Sequence, residues 1–135
     1  MLQSLIIFIN LYWLNTLYIY KTMDYSIQKG KTIILKSSRK VRQVRIENIL
    51  YISCDSYLIS VYFYNQKEPE IFLKPLIEIE KELADYHFLR INRNELINMR
   101  YFKSYQNREF RKIILSTGKT LFVSRRKWSA IKKYF

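Results

Sequence analysis

Two stretches concentrate side chains suited to holding a polyanion. Residues 88–102, FLRINRNELINMRYF, set three arginines and three asparagines among apolar residues, with Glu95 as the one acid. Arginine offers a planar fork that matches guanine O6 and N7 or a phosphate, and asparagine matches the edge of adenine. Phe88, Ile91, Leu96 and Ile97 interrupt the polar residues, so apolar neighbours anchor the segment while polar ones project. The second stretch, VSRRKW at residues 123–128, places Ser124, a good helix-capping residue, before Arg125, Arg126 and Lys127.

Other chemistries lack their parts. Cys54 is the single cysteine and His87 the single histidine, far apart in sequence. A zinc site or a Cys/His nucleophile is therefore not expected. No disulfide can form within the chain, which suits a reducing cytoplasm. No glycine-rich phosphate loop or nucleophile–base pair is present, and Glu78, Glu80 and Glu82 fall on a helix that already has a packing role. The expectation is a protein that is not an enzyme, with no cofactor, no metal and no small-molecule substrate.

The charge distribution favours the two basic stretches. The net charge is +13, with a pI of about 9.9. Residues 1–86 carry 11 basic and 9 acidic side chains, whereas residues 87–135 carry 13 and 2. A merely solvated surface would mix the signs. Such asymmetry points to nucleic acid or an anionic membrane surface.

The elements that must position these residues read as mostly β. The chain has 135 residues, 49% hydrophobic and 16% aromatic, which suits one domain with a real core. KTIILK (31–36) reads as a strand and SSRK as a turn. In VRQVRIENILYIS (41–53) the alternation predicts a strand ending near Glu47. CDS reads as a turn, and YLISVYFYN (57–65) and IFLK (71–74) as strands. PLIEIEKELADY (75–86) is the clearest helix: proline suits its first turn, and Leu76, Ile79, Leu83 and Tyr86 share a face. FLRIN opens the basic region as a strand, and ELINMRYFKSYQ continues as an extended segment. EFRKIILSTGKTLFVS predicts a hairpin turning at Thr117 and Gly118. A short terminal helix follows Ser124, with Trp128, Ile131 and Phe135 on one face.

Residues 1–20, MLQSLIIFINLYWLNTLYIY, carry no charge, and fifteen of the twenty are apolar. Three readings stay open: a membrane anchor, a partner-binding or self-associating helix, or an upstream extension with Met23 as the native start. The organisation expected is an apolar extension over 1–22, a linker over 23–30 and the folded domain over 31–135.

FLRINRNELIN, followed after about 25 residues by VSRRKW, resembles the LytTR (LytR/AlgR-type) DNA-binding domain of bacterial transcription regulators. That family's pattern runs Phe-x-Arg-x-His-Arg-Ser-x-x-x-Asn, then a strand pair, then a Ser-Arg-Arg helix start. Phe88, Arg90, Arg93 and Asn98 match the first motif, and Ser124, Arg125 and Arg126 the second. Upstream, IENILYISCDSYLISVYF resembles the family's strand pair and LKPLIEIEKEL its helix. Asn92 stands where many members have His, and Asn94 where many have Ser.

The resemblance implies a compact fold of about ten strands, with one internal helix and a short C-terminal helix. It implies that loops, rather than a recognition helix, enter successive major grooves of double-stranded DNA. Base contacts would come from Ser56 and Tyr57 in the turn after Asp55, from Asn92 and Arg93, and from Arg126. Arg90, Asn94, Arg125 and Lys127 would lie at the DNA backbone. The implied function is a sequence-specific transcriptional regulator bound to repeated sites. A homodimer on DNA and a membrane partner reached through residues 1–20 are left open. Only 30 residues precede the matched region, so no receiver domain and no phosphorylation-driven switch within the chain are expected. A module for single-stranded nucleic acid, stacking bases on its 12 tyrosines and 8 phenylalanines, and a protein of the membrane surface are the alternatives.

Overall fold

The computed structural model describes residues 24–134. The apolar segment over 1–22 and Phe135 lie outside the described residues. Ten strands and two α-helices make up the described chain. The strands are β1 (Thr32–Lys36), β2 (Val41–Arg45), β3 (Ile49–Asp55), β4 (Leu58–Phe63), β5 (Glu70–Leu73), β6 (Phe88–Asn92), β7 (Glu95–Asn98), β8 (Phe102–Asn107), β9 (Arg111–Leu115) and β10 (Thr120–Phe122). The helices are α1 (Leu76–Glu82) and α2 (Arg125–Ile131).

An antiparallel five-stranded sheet, in the order β5-β4-β3-β7-β6, lies at the centre. Each of its faces carries a core. On one face Ile52, Ile59, Val61, Phe63, Phe72 and Leu96 pack against Ile33, Leu35 and Val44 of the β1–β2 hairpin and against Leu76, Ile79 and Leu83 of α1. On the other face Tyr51, Ile91 and Ile97 pack against Ile113, Leu115 and Leu121 of the three-stranded sheet β10-β9-β8, and against Ile131 of α2. The central strand β3 is thus covered on both sides. Tyr51 is stacked on Tyr62 with ring centroids 4.3 Å apart.

Most elements fall where the sequence places them, with three instructive differences. Residues 41–53 form a first strand that ends at Arg45, close to the expected end at Glu47, and, after a 3-10 turn, Ile46–Asn48, a second strand that the alternation does not announce. The second of these strands has four consecutive buried residues, 49–52, and a register shift between Ile49 and Tyr51, so it shows no alternation. The extended segment over 95–106 is likewise broken by a 3-10 turn, Met99–Tyr101. Of the linker expected over 23–30, the described residues 24–30 pack on the domain through Gln28. Their 3-10 turn Tyr25–Gln28 places Gln28 at 0% exposure. Gln28 Nε2 donates to the Tyr86 carbonyl at 2.6 Å and to Asn98 Oδ1 at 2.9 Å, and Asn98 Nδ2 donates to the Ile49 carbonyl at 2.8 Å. These two are the buried polar side chains of the described core, and each satisfies the other.

Candidate nucleic-acid interface

Three separated segments meet at one end of the five-stranded sheet. The first is the β3–β4 turn. Asp55 pairs with Leu58, so the turn holds just Ser56 and Tyr57. Ser56 has φ 59°, the positive value that two-residue hairpins require at their first central position. Both residues are exposed, Tyr57 at 69%.

The second is the β6–β7 turn, Arg93 and Asn94, both exposed. β7 is the neighbour of β3, with Ser53 opposite Glu95, and Cys54 N donates to the Asn94 carbonyl at 2.8 Å. This bond ties the second turn to the base of the first. The third is the start of α2, where Ser124 Oγ accepts from Lys127 N and caps the helix. Ser124 N donates to the Ile91 carbonyl at 3.0 Å, which docks the helix start on β6. Arg125 and Arg126 follow, both exposed.

The β6–β7 turn is held through the carbonyls of Asn92, Arg93 and Asn94 and through Asn94 N. Asn92 Oδ1 accepts from Asn94 N at 2.8 Å, closing an Asx turn. Arg90 Nε donates to the Asn92 carbonyl at 2.9 Å, and a second Arg90 nitrogen donates to the Arg93 carbonyl. Arg90 also pairs with Glu80 of α1 at 2.7 Å. Asn92 Nδ2 donates to Glu95 Oε1 and to the Phe122 carbonyl, both at 2.8 Å. Asn92 therefore stitches the turn to the end of β10, two residues before the cap of α2.

This geometry bears on the expected contacts. Arg93, Arg125 and Arg126 extend from the convergent elements, and among the described residues none of the three makes an ion pair. Ser56, Tyr57 and Asn94 lie at the same end. Lys127 is half-buried in the groove between α1 and α2, beside Glu80 and Arg90. Asn92, expected at a base edge, has both amide hydrogens engaged inside the protein. Arg90, expected at the DNA backbone, has its guanidinium spent on Glu80 and two carbonyls. Cys54 lies under the two turns, where burial raises its thiol pKa.

Residues that sequence reasoning did not single out lie beside this end. The β8–β9 turn brings Arg108 and Phe110 there, and β10 ends with Phe122; all three side chains are exposed. The alternation in FRKIIL and TLF carries the signal: Ile113, Leu115 and Leu121 take the core parity, which sends Lys112 and Phe122 outward.

The comparisons agree with this architecture. The family model of the LytTr DNA-binding domain matches residues 39–135. Among solved structures, the chain resembles the LytTr DNA-binding domain of a Bacillus cereus protein described as a methyl-accepting/DNA response regulator. The TM-score is 0.63 at 19% identity, over 78% of this chain and 97% of that one, a likeness of fold. None of the curated proteins matches. With the family model running over most of its length, the chain belongs to the LytTr DNA-binding domain family.

Proposed function

We propose that the protein is a transcriptional regulator that binds double-stranded DNA sequence-specifically through the three convergent segments at one end of its central sheet. Arg93 and Arg126 read base edges in this proposal, with Ser56 and Tyr57 contacting a further groove position. Arg125, Lys127 and Asn94 hold the DNA backbone. Arg90 and Asn92 keep the Arg93 turn in shape and set its distance from α2. One observation supports the reading: Arg93, Arg125 and Arg126, from segments more than 30 residues apart in sequence, lie at one end of the sheet, and among the described residues none of the three makes an ion pair. Repeated sites and a homodimer on DNA belong to the same proposal, because one domain offers only a few base-reading side chains.

Among the described residues no helix is long and apolar enough to cross a membrane. The proposed membrane partner would act through residues 1–20, which lie outside them.

The test is selection of a duplex from a random pool, followed by titration across salt. Each neutralised phosphate releases counterions, so log affinity should fall linearly with log salt, with a slope on the order of −4 to −7 for about five to eight contacts. Binding indifferent to salt, or preference for single strands throughout, would refute the proposal.

A further inference from the structure

We propose that the β8–β9 turn and the end of β10 form a fourth DNA-contacting element, in which Phe110 and Phe122 meet the apolar sugar and thymine-methyl edges of the duplex just outside the core site, and Lys112 meets a phosphate there. The proposal rests on the DNA-binding reading above and extends it. Phe110 and Phe122 are 59% and 56% exposed, unusual for the most apolar aromatic side chain. Their rings meet edge to face, with centroids 6.2 Å apart and planes at 88°. Lys112, directly opposite Phe122 across the β9–β10 ladder, has its Nζ 5.9 Å from one ring centroid and 5.7 Å from the other. The result is a small apolar platform with a cation at its centre.

Two features favour DNA as the occupant. First, the platform is continuous with the candidate interface. The carbonyl of Phe122 itself accepts from Asn92, and Val123 N donates to the Arg111 carbonyl at 2.9 Å, so β9, β10, the Arg93 turn and the start of α2 are one hydrogen-bonded unit. Second, the charge complements a polyanion. Residues 87–135 carry 13 basic and 2 acidic side chains; of the acids, Glu109 lies within the β8–β9 turn and Glu95 is engaged by Asn92. Phenylalanine makes apolar contact with thymine methyl groups, and a lysine is a point charge for phosphate.

The experiment uses two duplexes, one ending at the selected core site and one extended by about half a helical turn on each side, with affinities measured for the whole chain. Wild type should bind the extended duplex more tightly. The double variant Phe110→Ala/Phe122→Ala should lose about tenfold on the extended duplex and little on the short one, as expected for re-exposing on the order of 60 Å² of ring surface. Lys112→Ala should shrink the salt slope on the extended duplex by about 1. Both side-chain types are on the surface, so the circular dichroism spectrum should be unchanged, and Lys112→Ala provides a readout that does not depend on the rings. Equal affinity of wild type and the double variant on the extended duplex, with an unchanged slope for Lys112→Ala, overturns the fourth element alone. Failure of wild type to bind either duplex overturns the DNA reading beneath it.

Discussion

Replacing Arg90 with alanine separates a residue that touches DNA from one that shapes the surface touching it. The Arg90 side chain is 18% exposed and its partner Glu80 33%, so the pair is half-sheltered rather than sealed. Alanine would remove the contact to Glu80 and the bonds to the Asn92 and Arg93 carbonyls. Hydrogen bonds involving a charged group contribute about 1.5–3 kcal/mol each. Glu80 and the Arg93 carbonyl can rehydrate, so the three together should cost the fold about 2 kcal/mol rather than their sum. For a domain of this size that lowers Tm by about 8 °C.

The effect on binding follows from order in the turn. Without Arg90, Arg93 sits on a turn that retains only the Asn92 and Cys54 bonds. Fixing one residue's backbone costs about 1–2 kcal/mol. Re-forming the turn on DNA should therefore weaken cognate binding by about 5- to 30-fold. The salt slope should stay the same, because no phosphate contact is lost. A phosphate-contacting arginine behaves differently: its removal shrinks the slope by about 1. Thermal unfolding, followed by titration of the cognate duplex at four salt concentrations, gives both quantities. An unchanged Tm together with a slope smaller by about 1 would put Arg90 on the DNA backbone and refute the positioning role.

Arg93→Ala and Arg126→Ala should each cost about 1–3 kcal/mol and relax preference at one position of the site, whereas Arg125→Ala should weaken all sequences about equally; a uniform loss from all three, read by repeating the selection, would contradict the assignment. Gln28→Ala should cost about 2–3 kcal/mol by leaving the buried Asn98 amide and the Tyr86 carbonyl without their partner. A chain beginning at Met23 keeps Gln28, so it should fold alone and bind the cognate duplex within a few-fold of the full chain; an unfolded product would place residues 1–22 in the core. Burial raises the phenol pKa of Tyr25, Tyr51 and Tyr101, the last to about 12. The folded state thus favours the protonated phenols. Their contribution to stability is complete below the unfolded value near 10 and is lost as pH rises through the raised folded values, for Tyr101 between about 10 and 12. Tyrosinate absorbance should climb late and together with unfolding, and a rise completed near pH 10 with the fold intact would count against it.

The sequence disclosed those parts of the fold that are governed by local pattern. The β9–β10 turn was legible because Gly118 takes φ +87° there, and α1 because its apolar residues repeat at helical spacing. The end of β2 near Glu47 was legible from its alternation, but the restart of the chain as β3 was not. Ile46, Glu47 and Asn48 contain no glycine or proline, and a strand buried on both faces has no period to detect. The linker expected over 23–30 precedes every matched motif, and the burial of Gln28 within it depends on a bond to Asn98, 70 residues away, that no local pattern announces. The same limit applies at the interface. Composition singled out Arg90, Asn92 and Arg93 together, but it does not say which of them has spent its donors inside the protein.

The geometry also bears on how, under the proposed function, a surface without a recognition helix would read a duplex. α2 has seven residues, about 10 Å, and Ile131 at its end is 1% exposed. Anchored in this way, it cannot lie along a major groove, and only its first turn is free to meet DNA. The β3–β4 and β6–β7 turns are no better alone, since each offers two residues at its tip. What makes the three act together is the sheet beneath them. β3 and β7 are adjacent strands, about 4.8 Å apart, and β6 holds the start of α2 through Ser124. The spacing between the residues proposed to read bases is then fixed by hydrogen-bonded strands rather than by flexible loops. Specificity in such a design depends on the bonds that hold the turns as much as on the arginines that leave them, and a substitution at Asn92 that breaks its bond to the Phe122 carbonyl should blur the preferred sequence while leaving the salt slope untouched.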